Sequence, residues 1–122
     1  MKRVCVLGPI TTHGEYHHNL QMAAKVAHEL HKRGFAVYCP HLESSISVTI
    51  EQIPEKHWRM NALKWIEVAD MAVFLPGWHY SVGAKKEHEF VDSMMMPKVY
   101  LGEGCTYENV GERLDNLLEL IK

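Results

Sequence analysis

The stretch ADMAVFLPGWHYSVGAKKEHEF, residues 69–90, decides how the chain is built. Met71 to Leu75 is an apolar run without polar alternation, the mark of a strand covered on both faces, and Pro76-Gly77 stops it. Ser81 then stands where a helix begins, a residue type whose hydroxyl accepts from the first free amides. Gly83 in the first turn lets a ligand approach those amides closely. Further along, Glu87 lies near the end of the second turn. At about 100° per residue, Ala84, Glu87, His88 and Val91 share the side of the helix that carries the Ser81 terminus.

Strand, stop and helix recur on either side of this unit. Lys2 to Leu7 reads as a buried strand ended by Gly8-Pro9, and ITTHGEYHH, residues 10–18, as a loop. From Asn19 to Arg33 the residues Leu20, Ala23, Ala24, Ala27 and Leu30 recur at helical spacing, with Gly34 placed as the left-handed residue after the helix. FAVYC, residues 35–39, is a second strand stopped by Pro40, followed by the polar connection HLESSISVTIEQIP. Pro54 suits the first turn of the next helix, whose stripe is Trp58, Ala62, Trp65, Ile66 and Ala69. After the 69–90 unit, Met94 to Met96 read as a helix end packing into the core. Pro97 precedes the strand KVYLGE, and a closing helix sets Leu114, Leu117, Leu118 and Ile121 at core spacing.

Strands that alternate with helices and lack polar alternation call for a parallel sheet with right-handed crossovers. The expected class is therefore α/β: one domain over residues 1–122, three layers α/β/α, and about four strands in the order 2-1-3-4, a flavodoxin- or Rossmann-like arrangement. Such open sheets bind ligands where the strand order reverses, here between strands one and three. Gly8-Pro9 and Pro76-Gly77 then face each other at the mouth of that crevice.

A chain of 122 residues has room for one core and no separate substrate domain. Its net charge of −2, with Lys and Arg scattered, gives no footprint for a nucleic-acid polymer or a membrane surface, so a small molecule is the expected partner. The N-terminus lacks the long apolar region of a signal peptide, and no stretch is long enough to span a bilayer. Cys5, Cys39 and Cys105 are an odd count without CxxC spacing, which argues against a disulfide framework and a zinc knuckle. Reduced thiols and a cytoplasmic location are expected. Nine histidines invite a metal, and His28 with His31 or His17 with His18 could start a site, but a third ligand at convincing spacing is missing. Neither metal nor other cofactor is expected.

The helix terminus at Ser81 offers free N–H groups and the positive end of the helix dipole to an anion such as a phosphate, with the Ser81 hydroxyl as a further partner. Glu87 would then face the crevice from within. The plainer alternative is that Ser81 only caps the helix and Glu87 is a solvated acid pairing with Lys86 or a neighbour.

Gly8-Pro9-Ile10 after strand one, Asn19 opening helix one, GFAVYCP at strand two and, above all, AD-MAVFLPGW-xx-S-x-GA-xx-E resemble the nucleoside 2-deoxyribosyltransferase-like superfamily. The likeness runs over nearly the whole chain. It is nearest to short bacterial and phage members grouped as a domain of unknown function, and more distant from 2′-deoxynucleoside 5′-phosphate N-hydrolases. The resemblance implies a double displacement at an anomeric carbon, with Glu87 as the nucleophile that expels the base and water or a second base taking the sugar. The enzyme would be an N-glycosidic hydrolase or a deoxyribosyltransferase. A carboxylate is a competent nucleophile for an oxocarbenium-like centre, and a helix N-terminus is expected to help keep it ionised. Ser81 falls where hydrolases of the superfamily hold the 5′-phosphate, which favours a nucleotide over a nucleoside.

The substrate-binding set so implied is Gly8, Pro9, Ile10, Gly77, Trp78, His79, Ser81 and Gly83, with Trp78 and His79 as candidates for contact with the base. Trp78 is equally suited to cover the core. Two positions depart from the superfamily's pattern. Its strand-one tyrosine falls on Cys5, and the aspartate that helps protonate the leaving base falls on Ala62, beside Asn61. His13, His17 and His18 are the substitute proton donors offered by the loop after strand one, with Glu15 and Tyr16 alongside. Asp70 matches a structural acid at the entry to strand three. A phosphoribohydrolase of the lysine-decarboxylase-like type is a second enzyme reading, but its Gly-Gly-x-Gly-Thr turn is absent. A nucleotide-binding or interaction module that has lost the reaction is the alternative from another class. The resemblance also implies a homodimer or higher homo-oligomer.

Overall fold

In a computed structural model, residues 1–10, 15–43 and 50–121 are described. Four parallel strands, β1 (Arg3–Leu7), β2 (Ala36–Tyr38), β3 (Met71–Phe74) and β4 (Lys98–Tyr100), form one sheet in the order β2-β1-β3-β4. Between and after them lie α1 (Tyr16–Lys32), α2 (Glu55–Ile66), α3 (Val82–Ser93) and α4 (Val110–Glu119), with a 3₁₀ turn at Trp78–Tyr80. This is the α/β class, parallel sheet and strand order that the alternating pattern predicts.

Side chains leaving a strand alternate between its faces, so each central strand feeds two cores. Val4 and Val6 of β1, with Met71, Val73 and Leu75, pack under Ala23, Val26 and Leu30 of α1 and Val110 and Leu114 of α4. Cys5 and Leu7, with Ala72 and Phe74, pack under Ala62 and Ile66 of α2 and Val91 of α3. Two helices thus cover each face. Arg33 joins the pair on the first face: its Nε donates to Asp115 at 2.8 Å and its Nη2 to the carbonyl of Gly111 at 3.1 Å. Asp70 ties the sheet at its entry, accepting from the amide of Arg3 at 2.7 Å and donating its own amide to the Arg3 carbonyl at 2.8 Å.

Several boundaries differ from the sequence expectation. Helix α1 starts at Tyr16, so His17 and His18 are helical rather than in a loop, and Asn19 lies inside the first turn. Its N-cap, Glu15, makes no capping hydrogen bond, which is why the usual signal of a helix start is missing. Asn19 is buried and donates to the carbonyl of Ile10 at 3.1 Å, fastening the loop after β1. Strand β4 is only three residues long. Of the three methionines at the end of α3 only Met96 is buried, and Ile121 is exposed.

Candidate functional site

Where β1 and β3 diverge, the loop at Gly8 runs beside the end of β3: the Leu75 amide donates to the carbonyl of Leu7 at 2.8 Å. A Cβ on Gly8 would stand 2.6 Å from the Leu75 Cβ, so Gly8 is required by the packing of the crevice wall itself. Gly77 has φ +81°, the left-handed conformation that lets the chain turn from β3 towards α3. Pro9 lies across from it, its Cγ 3.8 Å from where a Gly77 Cβ would be. The two turns do meet. His41, buried beside them, holds the first through its Nε2, which lies 2.7 Å from the Pro9 carbonyl; that contact requires the proton on Nε2. Burial holds His41 below its ordinary pKa, towards the neutral ring.

On the α2/α3 face a cleft of about 720 Å³ opens, within the size range of small-ligand sites. Gly8, Ile10, Ala62, Ser81, Gly83 and Glu87 all line it. Ser81 caps α3, its Oγ accepting from the Ala84 amide at 3.2 Å. That bond occupies one lone pair and leaves the hydroxyl proton free to donate. Among the described residues, apart from its chain neighbours and its own helix backbone, nothing lies within 4 Å of where a Gly83 Cβ would be, so the first turn of α3 is open on that side. Ala84 and Val91 are buried on the same flank of the helix, which turns Glu87 between them towards the cleft.

Glu87 is not a solvated acid on an outer face. Burial pushes its carboxyl from the ordinary 4.5 up to about 7. The helix terminus therefore does not hold this carboxyl at its ordinary pKa, as the sequence expectation of an ionised Glu87 would require. Residue 87 sits beyond the first turn, where the influence of the terminus fades, and no hydrogen bond to its carboxylate offsets burial among the described residues. Cys5 lies in β1 near it; burial first and then the charge of Glu87 push the thiol up to about 12. Cys5 stays protonated and donates to the Met71 carbonyl, with the sulfur 3.6 Å away.

The other expected residues fall elsewhere. Pro9, Gly77 and His18 line a second, smaller depression of about 380 Å³, together with Asn19 and Tyr80. The Trp78 ring is stacked on His88 at 4.3 Å and packs against Phe74 at 5.2 Å, part of an aromatic cluster with Tyr100. His79 is exposed beside Tyr80, and His17 is exposed with its ring edge-on to Tyr16. Neither Trp78 nor His79 lines the main cleft. His13 lies outside the described residues. Among the described residues no three His, Cys, Asp or Glu side chains converge as a metal site would require.

What sequence reading missed is the opposite wall. Tyr38, Glu43, Trp58 and Arg59 also line the cleft. Tyr38 ends β2 and is the register partner of Cys5, so the two share the same face of the sheet. The Asn61 amide nitrogen donates to Glu43 Oε2 at 2.9 Å and to the Tyr38 hydroxyl at 3.3 Å. Burial, and then the charges of Glu43 and Glu87, raise the Tyr38 phenol well above its usual range and keep it a neutral donor. Arg59 pairs with Glu55 at 3.0 Å, and both line the cleft. The signal for Tyr38 was its place at the carboxyl end of a strand, where open sheets bind ligands.

The sequence profile of a domain of unknown function, DUF4406, matches residues 2–100. The chain belongs to this family. The DUF4406 match spans the whole sheet, α1 to α3, and every cleft residue named above. No curated protein matches the chain.

Proposed function

We propose that this DUF4406 protein cleaves the N-glycosidic bond of a (deoxy)nucleoside 5′-monophosphate, by hydrolysis or by exchange of the base, with Glu87 as nucleophile. The observation that carries this is Glu87 itself: a half-buried carboxyl with no hydrogen-bonded partner among the described residues, in a ligand-sized cleft that the open N-terminus of α3 also lines. A structural acid in such a place would be paired or hydrogen-bonded. An unpaired one with a raised pKa is the pattern of functional sites.

The 5′-phosphate sits at Ser81 and Gly83, receiving the free amides and the Ser81 hydroxyl. The sugar then extends along α3 towards Glu87. A carboxylate oxygen of Glu87 forms a bond to C1′ as the C1′–N bond breaks and its electron pair leaves with the base. Positive charge developing on the sugar favours the ionised carboxylate, offsetting in the transition state the burial that raises its pKa. Water or a second base then attacks C1′ and releases Glu87.

The test is to incubate the protein with a panel of deoxynucleoside monophosphates and measure free base by chromatography. Release by the wild type that disappears in Glu87→Ala is the expected result; no release from any nucleotide overturns it. A second reading, a nucleotide-binding module without the reaction, is favoured by Cys5 and Ala62. The first is a buried, protonated thiol and the second a methyl, where the resemblance calls for a tyrosine and an aspartate. Thermal stabilisation by nucleotides without base release would establish that reading.

A further inference from the structure

The cleft has an acid at each side, and only one has been given a task. Of its three lining carboxyls among the described residues, Glu55 is largely exposed and taken up by Arg59, and Glu87 is half-buried on α3. Glu43 remains. It is half-buried at the end of the turn that follows β2, and one of its oxygens is fixed by the Asn61 amide, which also holds the Tyr38 hydroxyl. Asn61 is the neighbour of Ala62 on α2, so its hydrogen bond holds Glu43 beside the part of α2 that lines the cleft. Tyr38 lines the same cleft as Glu43 and Glu87 and accepts from the Asn61 amide that also holds Glu43.

We infer that Glu43 is the acid that protonates the departing base, with Asn61 as the residue that positions it. The inference rests on the glycosidic reading of Glu87. The reacting state is the one with a single proton on the pair, held by Glu43: in the first step the Glu87 carboxylate bonds to C1′ and the C1′–N bond breaks. The electron pair goes to the base, and the Glu43 proton passes to a base nitrogen, leaving a neutral base and a Glu43 carboxylate. In the second step that carboxylate takes a proton from the attacking water, the water oxygen bonds to C1′, and the ester bond to Glu87 breaks with its electron pair returning to Glu87. Both acids end as they began. Tyr38 keeps its proton throughout and serves as a hydrogen-bond donor between them. Asn61, whose two amide hydrogens reach Glu43 and Tyr38, aims the carboxyl and does not touch the reacting atoms.

The experiment compares two leaving groups. A purine deoxynucleoside 5′-monophosphate needs its base protonated, whereas the 4-nitrophenyl glycoside of 2-deoxyribose 5-phosphate loses a stable anion that does not. Measured in a single turnover, so that only bond cleavage and not the later attack of water is read, Glu43→Gln is expected to slow base release by about 10²-fold or more while changing nitrophenolate release by less than about 3-fold. Asn61→Ala should show the same selectivity to a smaller degree, and Glu43→Asp should recover part of the base release, which a merely unfolded protein would not. If Glu43→Gln leaves base release intact, or slows both substrates alike, Glu43 is not the acid and the assignment falls while Glu87 stands. If the wild type releases neither base nor nitrophenolate, the glycosidic reading has failed and the assignment with it.

Discussion

Glu87 illustrates how one side chain couples the site to the stability of the fold. In the folded protein its carboxyl holds a proton up to about 7, whereas the ordinary value is 4.5. Between those values the folded state binds more protons than the unfolded one, so stability falls as pH rises through the window, and below it there is no penalty. Glu87→Gln removes the ionisation. Urea titrations should therefore show the variant gaining on the wild type by about 2 kcal/mol between pH 4.5 and pH 8, the full shift being discounted for water reaching the carboxyl. An equal difference at both pH values would mean that Glu87 does not titrate in this window. At the other end of the cleft, Ser81→Asp keeps a side chain able to cap α3 but sets a carboxylate against a bound phosphate. It should weaken binding of a 5′-monophosphate far more than that of the matching nucleoside, measured by calorimetry. Equal losses would remove the phosphate from this terminus.

At the scale of elements, the ends of β1 and β3 are held together by direct contact of the Gly8 backbone with the Leu75 side chain. Gly8→Ala drives a Cβ into that contact, and neither atom can turn away, since one is backbone-attached and the other is the first carbon of its side chain. The strands must part, with a cost of about 1–3 kcal/mol as for other overpacked interiors, seen as a lower melting temperature. The Gly8 wall is also a wall of the cleft, so thermal stabilisation by nucleotides should shrink in the same variant. A Gly8→Ala protein that melts like the wild type would show that the crevice yields without strain.

Across the whole molecule, α2 carries more apolar surface than the sheet covers. Met60 and Trp65 are each 52% exposed and Val68 50%, and Trp65 rests on Tyr38 with ring centroids 5.8 Å apart. Exposed apolar side chains of this size, on α2 and just past its end at Val68, are suited to an association face. The protein is expected to be at least a dimer by light scattering at micromolar concentration, with Trp65→Glu shifting it towards the monomer. A monomeric wild type would show that this surface is simply tolerated.

What the sequence determined by itself was what periodicity and punctuation carry. Unbroken apolar runs require strands covered on both faces, the proline and glycine stops mark where those strands end, and alternation with helices calls for a parallel sheet; the order 2-1-3-4, one of those such a pattern admits, is decided by the pairing of the strands. Ser81 as a cap and Glu87 on the flank of α3 shared with Ala84 and Val91 follow from helical spacing, so half of the candidate site was legible. The other half joins residues far apart in the chain through side chains with no local signature. Glu43 and Tyr38 meet Asn61 only because β2 and α2 lie on adjoining parts of one face. Trp78, which the sequence offered as a base contact, is drawn instead into a stack with His88 one turn of packing away. The Glu87 proton belongs to the same class. Whether a carboxyl at that spacing is ionised depends on how much water the neighbouring helix, strand and loop exclude, and only their assembly decides that.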